Sequence, residues 1–217
     1  MAKKILKRGL FITFEGPERS GKSTHSALAV NFLRRQGYDV VYTREPGGTA
    51  VGDRIRGVLL DAKNIRMSAL TEVLLFEASR SELVREVIKP ALSKKKIVIS
   101  DRFHDATCVY QGCAGGVPAE EIRKIESVSM KGVVPDLTVI LDIDEEIGVG
   151  KIRRGKKDRI ESKNISFHKK VRAGYLALAK KNKKRIKLIK TKPTIKATFE
   201  EVKIEVTNVV GRYKRPR

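Results

Sequence analysis

The chain has no tryptophan, only two cysteines and three histidines among its 217 residues, and no long apolar run. Without the roughly 18–20 consecutive apolar residues that cross a bilayer, no spanning helix is expected. The opening MAKKILKRG is basic like the first part of a secretory leader, but the apolar stretch behind it, Leu10 to Phe14, is too short for a leader core and stops at Glu15. A cytoplasmic protein is expected. Cys108 and Cys113 form no C-x-x-C pair and have no histidine cluster to support them, which argues against a disulfide framework and against a zinc site. Free thiols in a reducing compartment are the expectation. His25, His104 and His168 are scattered, and no catalytic role is read for them.

Acidic residues are also scarce, with 25 Asp and Glu against 47 Lys and Arg, a formal charge of +22. Such an excess raises nucleic-acid binding as a possibility. The basic runs are spread along the chain, however, from KKILKR to KKNKKRIKLIK and RYKRPR, and no aromatic-interleaved nucleic-acid signature accompanies them. A solvated lysine-rich surface accounts for them better, and no dedicated nucleic-acid partner is expected. The same field would draw in an anionic substrate.

What is present is a regular alternation. Short β-branched runs, LFITFEG (Leu10 to Gly16), DVVYT (Asp39 to Thr43), KIVIS (Lys96 to Ser100), DLTVILDI (Asp136 to Ile143) and RIKLIK (Arg185 to Lys190), predict five strands. Helical spacing fills the gaps: HSALAVNFLRRQG with Gly37 as its stop, GDRIRGVLLD, a long pattern from Ser68 to Leu92, then Pro118 to Met130, Glu145 to Arg153, FHKKVRAGYLALAKK, and Thr198 to Val210. In the long pattern Leu70, Val73, Leu74, Leu83, Val84 and Val87 are expected to face inward. Strand and helix in alternation predict right-handed crossovers and one α/β domain, a five-stranded parallel sheet between two helical layers.

Between the first strand and the first helix lies GPERSGKS, Gly16 to Ser23, a phosphate-cradling loop in the context such a loop requires. Its residues Gly16, Pro17, Glu18, Arg19, Ser20, Gly21, Lys22, Ser23 and Thr24 are the expected ATP-binding set. The glycines admit close backbone approach, successive N–H groups face the anion, Lys22 reaches the terminal phosphates, and the Ser23 hydroxyl serves Mg²⁺. No N-K-x-D guanine reader is present, since NKKR at Asn182 lacks the aspartate. The third strand ends in Asp101 followed by Arg102, with no second carboxylate to orient a hydrolytic water. A kinase fits this pattern better than a motor ATPase or a switch GTPase.

Four more stretches fall where parallel strands end, the usual ligand crevice: TREPGGT, FEASR, SDRFHDATCVYQG and RRGKKDRIE. Together they resemble the thymidylate kinase family, from about Gly9 to about Val210. The resemblance implies the three-layer P-loop NTPase fold with a small mobile lid at about residues 151–162, ATP as donor with Mg²⁺, dTMP as acceptor, and a homodimer. It implies that Arg102 and Arg56 clamp the acceptor phosphate, Phe76 stacks on the base, and Arg80 donates to its carbonyl. It also implies that Thr107 and Gln111 meet the polar edge of the base and that Tyr110 excludes a ribose 2′-hydroxyl. Glu18 and Glu45 resemble the carboxylates near the acceptor sugar and metal, and Asp101 acts on Mg²⁺ or its waters. Some members place an arginine in the P-loop, while others carry glycine there and use the lid. This chain has Arg19 in the loop and Arg153, Arg154 and Arg159 in a basic lid, so Arg19 and Arg154 join Lys22 and Arg102 as expected catalytic residues. Two other classes share part of the pattern, namely another P-loop small-molecule kinase and a nucleic-acid-binding P-loop module. Phe76, Arg80 and Tyr110 argue against the first.

Overall fold

A computed structural model of the chain describes residues 4–144 and 158–214. Five strands, β1 (Leu10–Glu15), β2 (Val40–Arg44), β3 (Ile97–Asp101), β4 (Leu137–Asp142) and β5 (Ile186–Lys190), form an all-parallel sheet in the order β2-β3-β1-β4-β5. The central strand β1 is buried along its whole length. Successive side chains point to opposite faces, so Leu10, Ile12 and Phe14 join one apolar cluster while Phe11 joins another. A sheet covered on both faces therefore needs nearly continuous apolar strands, which is the pattern of LFITF and TVIL.

One face is covered by α1 (Lys22–Arg35) and the last helix, here α8 (Ile195–Arg212), through Ala29, Val30 and Leu33 and through Val202, Val206 and Val209. The other face carries α3 (Ala69–Leu83), the short α4 (Lys89–Ser93), α6 (Ala119–Met130) and α7 (Ile165–Lys181), and a one-turn α5 (His104–Thr107) follows β3. Side-chain caps start four helices: Thr49 for α2 (Ala50–Leu60), Ser68 for α3, Asn164 for α7 and Thr194 for α8 each accept a backbone N–H. The α8 cap sets the start of that helix three residues earlier than Thr198. The helix expected at Glu145 to Arg153 lies outside the described residues.

Two expectations change. The long pattern from Ser68 is interrupted by a π-helical turn, Val84–Ile88, between α3 and α4. Pro90 has no N–H for the preceding turn, and the wider turn accommodates it. The inward face also differs: Val73, Leu83 and Val84 are buried, whereas Leu70 and Leu74 are 44% and 51% exposed. The buried stripe of α3 is completed by Glu72, Glu77 and Arg80 instead. Counting apolar residues alone missed a polar inner face.

The registers fix the ends of the strands. Phe14 is level with Asp101 across β1 and β3, and Glu15 with Ile140 across β1 and β4. The chain then leaves β1 through Gly16, at φ 138°, where a Cβ would sit 2.3 Å from the Leu141 carbonyl oxygen. Only glycine lets the loop turn this close to β4. Gly16→Ala should destabilise the fold by more than about 1 kcal/mol. Gly57→Ala, an exposed helical position with nothing within 4 Å of the added carbon, should be neutral or stabilising by about 0.4–1 kcal/mol. Urea denaturation of the two variants checks this, and equal effects would remove the close approach as the reason for glycine at 16.

Candidate active site

The ends of β1, β2 and β3 open into a cavity of about 660 Å³, lined from one side by the loop after β1 and from the other by α2, α3 and the helix after β3. The loop residues Glu18, Arg19, Gly21, Lys22, Ser23 and Thr24 line it. Gly21, at φ 90°, ends the loop and begins α1, so the free N–H groups of the first helical turn stand at the cavity wall. The Lys22 ammonium is buried and donates to the Pro17 carbonyl at 2.7 Å. Burial pushes its pKa down to about 8, with Arg102 adding repulsion and Glu18, Asp101 and Glu15 opposing. The Ser23 hydroxyl donates to Asp101 Oδ2 at 2.5 Å. These two oxygen donors, brought together by the β1–β3 register, are a hard set that suits Mg²⁺.

Arg102 follows β3 in a left-handed conformation at φ 72°. Its Nη2 donates to Glu18 Oε1 at 2.6 Å and to the Tyr110 hydroxyl at 3.1 Å, and its Nη1 donates to the Tyr175 hydroxyl at 3.2 Å and the Gly16 carbonyl at 3.3 Å. Tyr110 in turn donates to Glu18 at 2.8 Å. Burial alone would raise the Glu18 carboxyl, but Arg102, Lys22 and Tyr110 together bring it down to about 2. Behind them, Glu15 is buried and accepts from Tyr175 Oη at 2.8 Å and the Phe103 N–H at 2.7 Å. Burial, with Asp105 nearby, pushes Glu15 up to about 7 against Arg102 and Tyr175.

Farther in, Phe76, Thr107, Gln111, Glu45 and Arg56 line the cavity. Arg80 does not: its guanidinium is buried and donates to Glu45, Glu77 and Thr107 Oγ1. It reaches the cavity only through Thr107 and Glu45, so Phe76 and Arg80 share a helix but not a surface. Burial pushes Glu45 up to about 7, with Arg80 opposing. Gln111 donates to Glu72 at 2.8 Å, and Arg56 to the Pro46 carbonyl at 3.0 Å.

Of the basic lid, Arg153 and Arg154 lie outside the described residues. Arg159 is a correction: it is buried 5% exposed, donating to the Leu59 carbonyl and to Glu72, and it does not line the cavity. It anchors its segment to α2 and α3. Arg19 pairs with Glu161, Nε at 3.1 Å and Nη2 at 3.0 Å, which brings the loop against residues 158–162. Sequence reading missed Glu15, Glu72, Glu161 and Tyr175. A carboxylate closing a buried strand was a usable signal for Glu15, whereas nothing local marked Tyr175 inside a helical repeat.

The buried carboxyls give a pH signature. Unfolded, Glu15 ionises near its ordinary 4.5, and folded it keeps its proton to about 7. Between those values the folded protein binds the extra proton, so stability falls as pH rises and levels off above about 7. Glu45 acts in the same direction. Glu18 acts in the opposite one, giving stability above 4.5 that is lost as pH falls toward about 2. Glu15→Gln should remove on the order of 3 kcal/mol of the decline between pH 4.5 and 7, read by denaturation at several pH values. An unchanged slope would assign the decline to other groups.

Comparisons with known proteins meet this geometry. The family model described as thymidylate kinase matches residues 14–202. A thymidylate kinase from Caldanaerobacter subterraneus subsp. tengcongensis is 48% identical over 183 residues, which is 84% of this chain and 87% of that protein. One from Symbiobacterium thermophilum is 40% identical over 203 residues, 94% of this chain and 95% of that protein. The crystal structure of thymidylate kinase from Ehrlichia chaffeensis superposes with a TM-score of 0.75 at 35% identity, covering 93% of this chain and 99% of that one.

Proposed function

Because the chain belongs to the thymidylate kinase family, we propose that its residues divide the transfer of the γ-phosphate of ATP to dTMP between the two sides of the cavity. The observation that carries this division is the meeting of Lys22 and Ser23 with Arg102, Tyr110 and Phe76 in one 660 Å³ space. On the donor side, the loop N–H groups from Gly16 to Thr24 cradle the ATP phosphates, and Lys22 leaves the Pro17 carbonyl for them. Ser23 and Asp101 would hold Mg²⁺, which when bound neutralises charge on the donor phosphates.

On the acceptor side, Arg102 and Arg56 take the dTMP phosphate. All four Nη hydrogens of Arg102 have protein partners, and the two longest contacts, to Tyr175 and Gly16, are those a phosphate displaces. Phe76 stacks on thymine while Thr107 and Gln111 meet its polar edge, with Arg80 and Glu72 fixing their orientation. Tyr110 and Glu18 border the sugar and Glu45 closes the floor. The segment at about 151–162 serves as a lid, and Arg154 within it is the second arginine for the transferring phosphate. A homodimer fits the apolar residues left outside: Val51 and Val58 along one side of α2 and Leu70 and Leu74 along α3 are 44–51% exposed. Among the described residues no helix is long and apolar enough to cross a membrane, in keeping with a cytoplasmic enzyme.

Turnover with ATP, Mg²⁺ and a panel of monophosphates, read as kcat/KM, tests the reading. We expect dTMP best, dUMP poorer, and AMP and GMP lower by roughly 10⁴ or more, because a purine leaves the buried polar groups of the pocket unpaired. AMP or GMP as the best acceptor would end it.

Arg19 has φ 58°, a left-handed conformation that glycine adopts freely. Arg19→Gly therefore removes the guanidinium, and with it the ion pair to Glu161, while the loop backbone can keep its angle. It should lower kcat while leaving KM for ATP nearly unchanged. The loss should be smaller than the roughly 10³–10⁵ of a lone arginine, because Arg154 partly substitutes. The double variant with Arg154→Ala should lose more than the two single effects combined. Full kcat in Arg19→Gly, and a double variant no worse than Arg154→Ala, would place the chemistry in the lid.

A further inference from the structure

Outside the cavity lining, around residues that flank Thr107 in sequence, three metal-ligand types converge. His104 and Cys108 stand one helical turn apart, so their side chains share a face. Glu126 on α6 meets them, and the three ligand atoms lie within 4.8 Å of one another. Neither ring nitrogen of His104 has a hydrogen-bond partner although both are shielded from solvent. Nδ1 is 3.7 Å from Glu126 Oε1, and Cys108 Sγ is 3.6 Å from the same oxygen. An imidazolium bonded to a carboxylate would close to about 2.7–2.9 Å. Two ligands at opposite ends of a tetrahedral edge around zinc instead stand roughly 3.4–3.6 Å apart, given bonds of about 2.0–2.3 Å.

The surroundings supply what a ligating histidine needs. Its other nitrogen, Nε2, faces Asp105 Oδ1 at 3.7 Å, and Asp105 is itself held by Arg185 at 2.7 and 2.8 Å and by Thr138. At 3.7 Å the Nε2 contact is not a hydrogen bond, but the carboxylate, fixed by its own partners, stands where the usual support of a metal-bound imidazole does. The cluster lies near the surface, with the His104 and Glu126 side chains 15% and 10% exposed, although the ring nitrogens themselves are shielded.

We propose that His104, Cys108 and Glu126 form a binding site for Zn²⁺ or a similar borderline divalent ion, with water as fourth ligand, separate from the Mg²⁺ site at Ser23 and Asp101. A nitrogen, a sulfur and one carboxylate oxygen select such an ion over Mg²⁺, which takes oxygen ligands. Burial, with Glu126 beside it, raises the Cys108 pKa and keeps it a thiol without metal. Loading therefore releases the thiol proton to solvent, together with the imidazole proton where Asp105 and Glu126 hold His104 charged. The ion ties the segment carrying Thr107 to α6. The absence of a C-x-x-C pair hid the site, because its thiol is matched with a histidine four residues away and a glutamate on another helix.

The full chain, freed of metal by a chelator and held without nucleotide, is titrated with Co²⁺ alone. One equivalent should bring a thiolate-to-cobalt charge-transfer band and the visible bands of four-coordinate cobalt, and Zn²⁺ should abolish both. Cys108→Ser should lose the charge-transfer band and weaken Zn²⁺ binding at least tenfold, whereas Cys113→Ser, which changes the exposed thiol outside the cluster, should keep both. Glu126→Gln preserves shape and should also weaken Zn²⁺ binding, giving a second reading if Cys108→Ser folds poorly. No charge-transfer band at saturating Co²⁺, or a band that survives Cys108→Ser, would overturn the proposal.

Discussion

The Arg102 guanidinium is the contact on which the rest of the site depends. It comes from the end of β3, yet its partners belong to the loop after β1, the helical segment after β3, and α7. One planar group with donors in fixed directions thus sets the mutual positions of Gly16, Glu18, Tyr110 and Tyr175. Without it, Glu18 would be a partly buried charge left with the Tyr110 hydroxyl as its hydrogen-bond donor. Through Tyr175 the same guanidinium steadies Glu15, so a strand end, a loop and a helix far along the chain share one anchor.

Two further buried clusters repeat the arrangement around the acceptor side. Arg80 sits among Glu45, Glu77 and Thr107, and Glu72 gathers Arg159, Lys163 and Gln111. Buried ion pairs of this kind add little net stability because desolvation offsets attraction. What they give is geometry, since Glu45 and Thr107 in the first cluster and Gln111 in the second line the cavity and the other members stand behind them. The rise of Glu15 and Glu45 to about 7 shows that burial outweighs the available cations at those points.

The strands were legible to within a residue because apolar runs between turn residues have few alternatives in a sheet buried on both faces. The loop at Gly16 to Ser23 was legible because its chemistry is local: contiguous N–H groups, two glycines at positive φ and one lysine. Of the residues expected on the acceptor side, Phe76, Thr107, Tyr110, Gln111, Arg56 and Arg102 line one space. Their connections were not legible. Arg80 under the cavity wall, Arg159 turned into the interior, and Tyr175 behind Arg102 depend on partners 27 to 160 residues away, which no spacing rule reports. Leu70 and Leu74 misled for a related reason, since the helix gives its inner face to charges that have partners only in three dimensions.

Arg19 stands at a backbone angle where an ordinary side chain carries a cost of roughly 1–2 kcal/mol and glycine carries none. Every arginine codon becomes a glycine codon by a single base change. Position 19 is therefore a site at which a lineage can lose its loop arginine in one step, without refolding and with the backbone relaxed, wherever another cation covers the phosphate. The reverse step is as short but runs uphill. For a loop arginine held at that angle, the charge has to contribute more than the backbone strain costs.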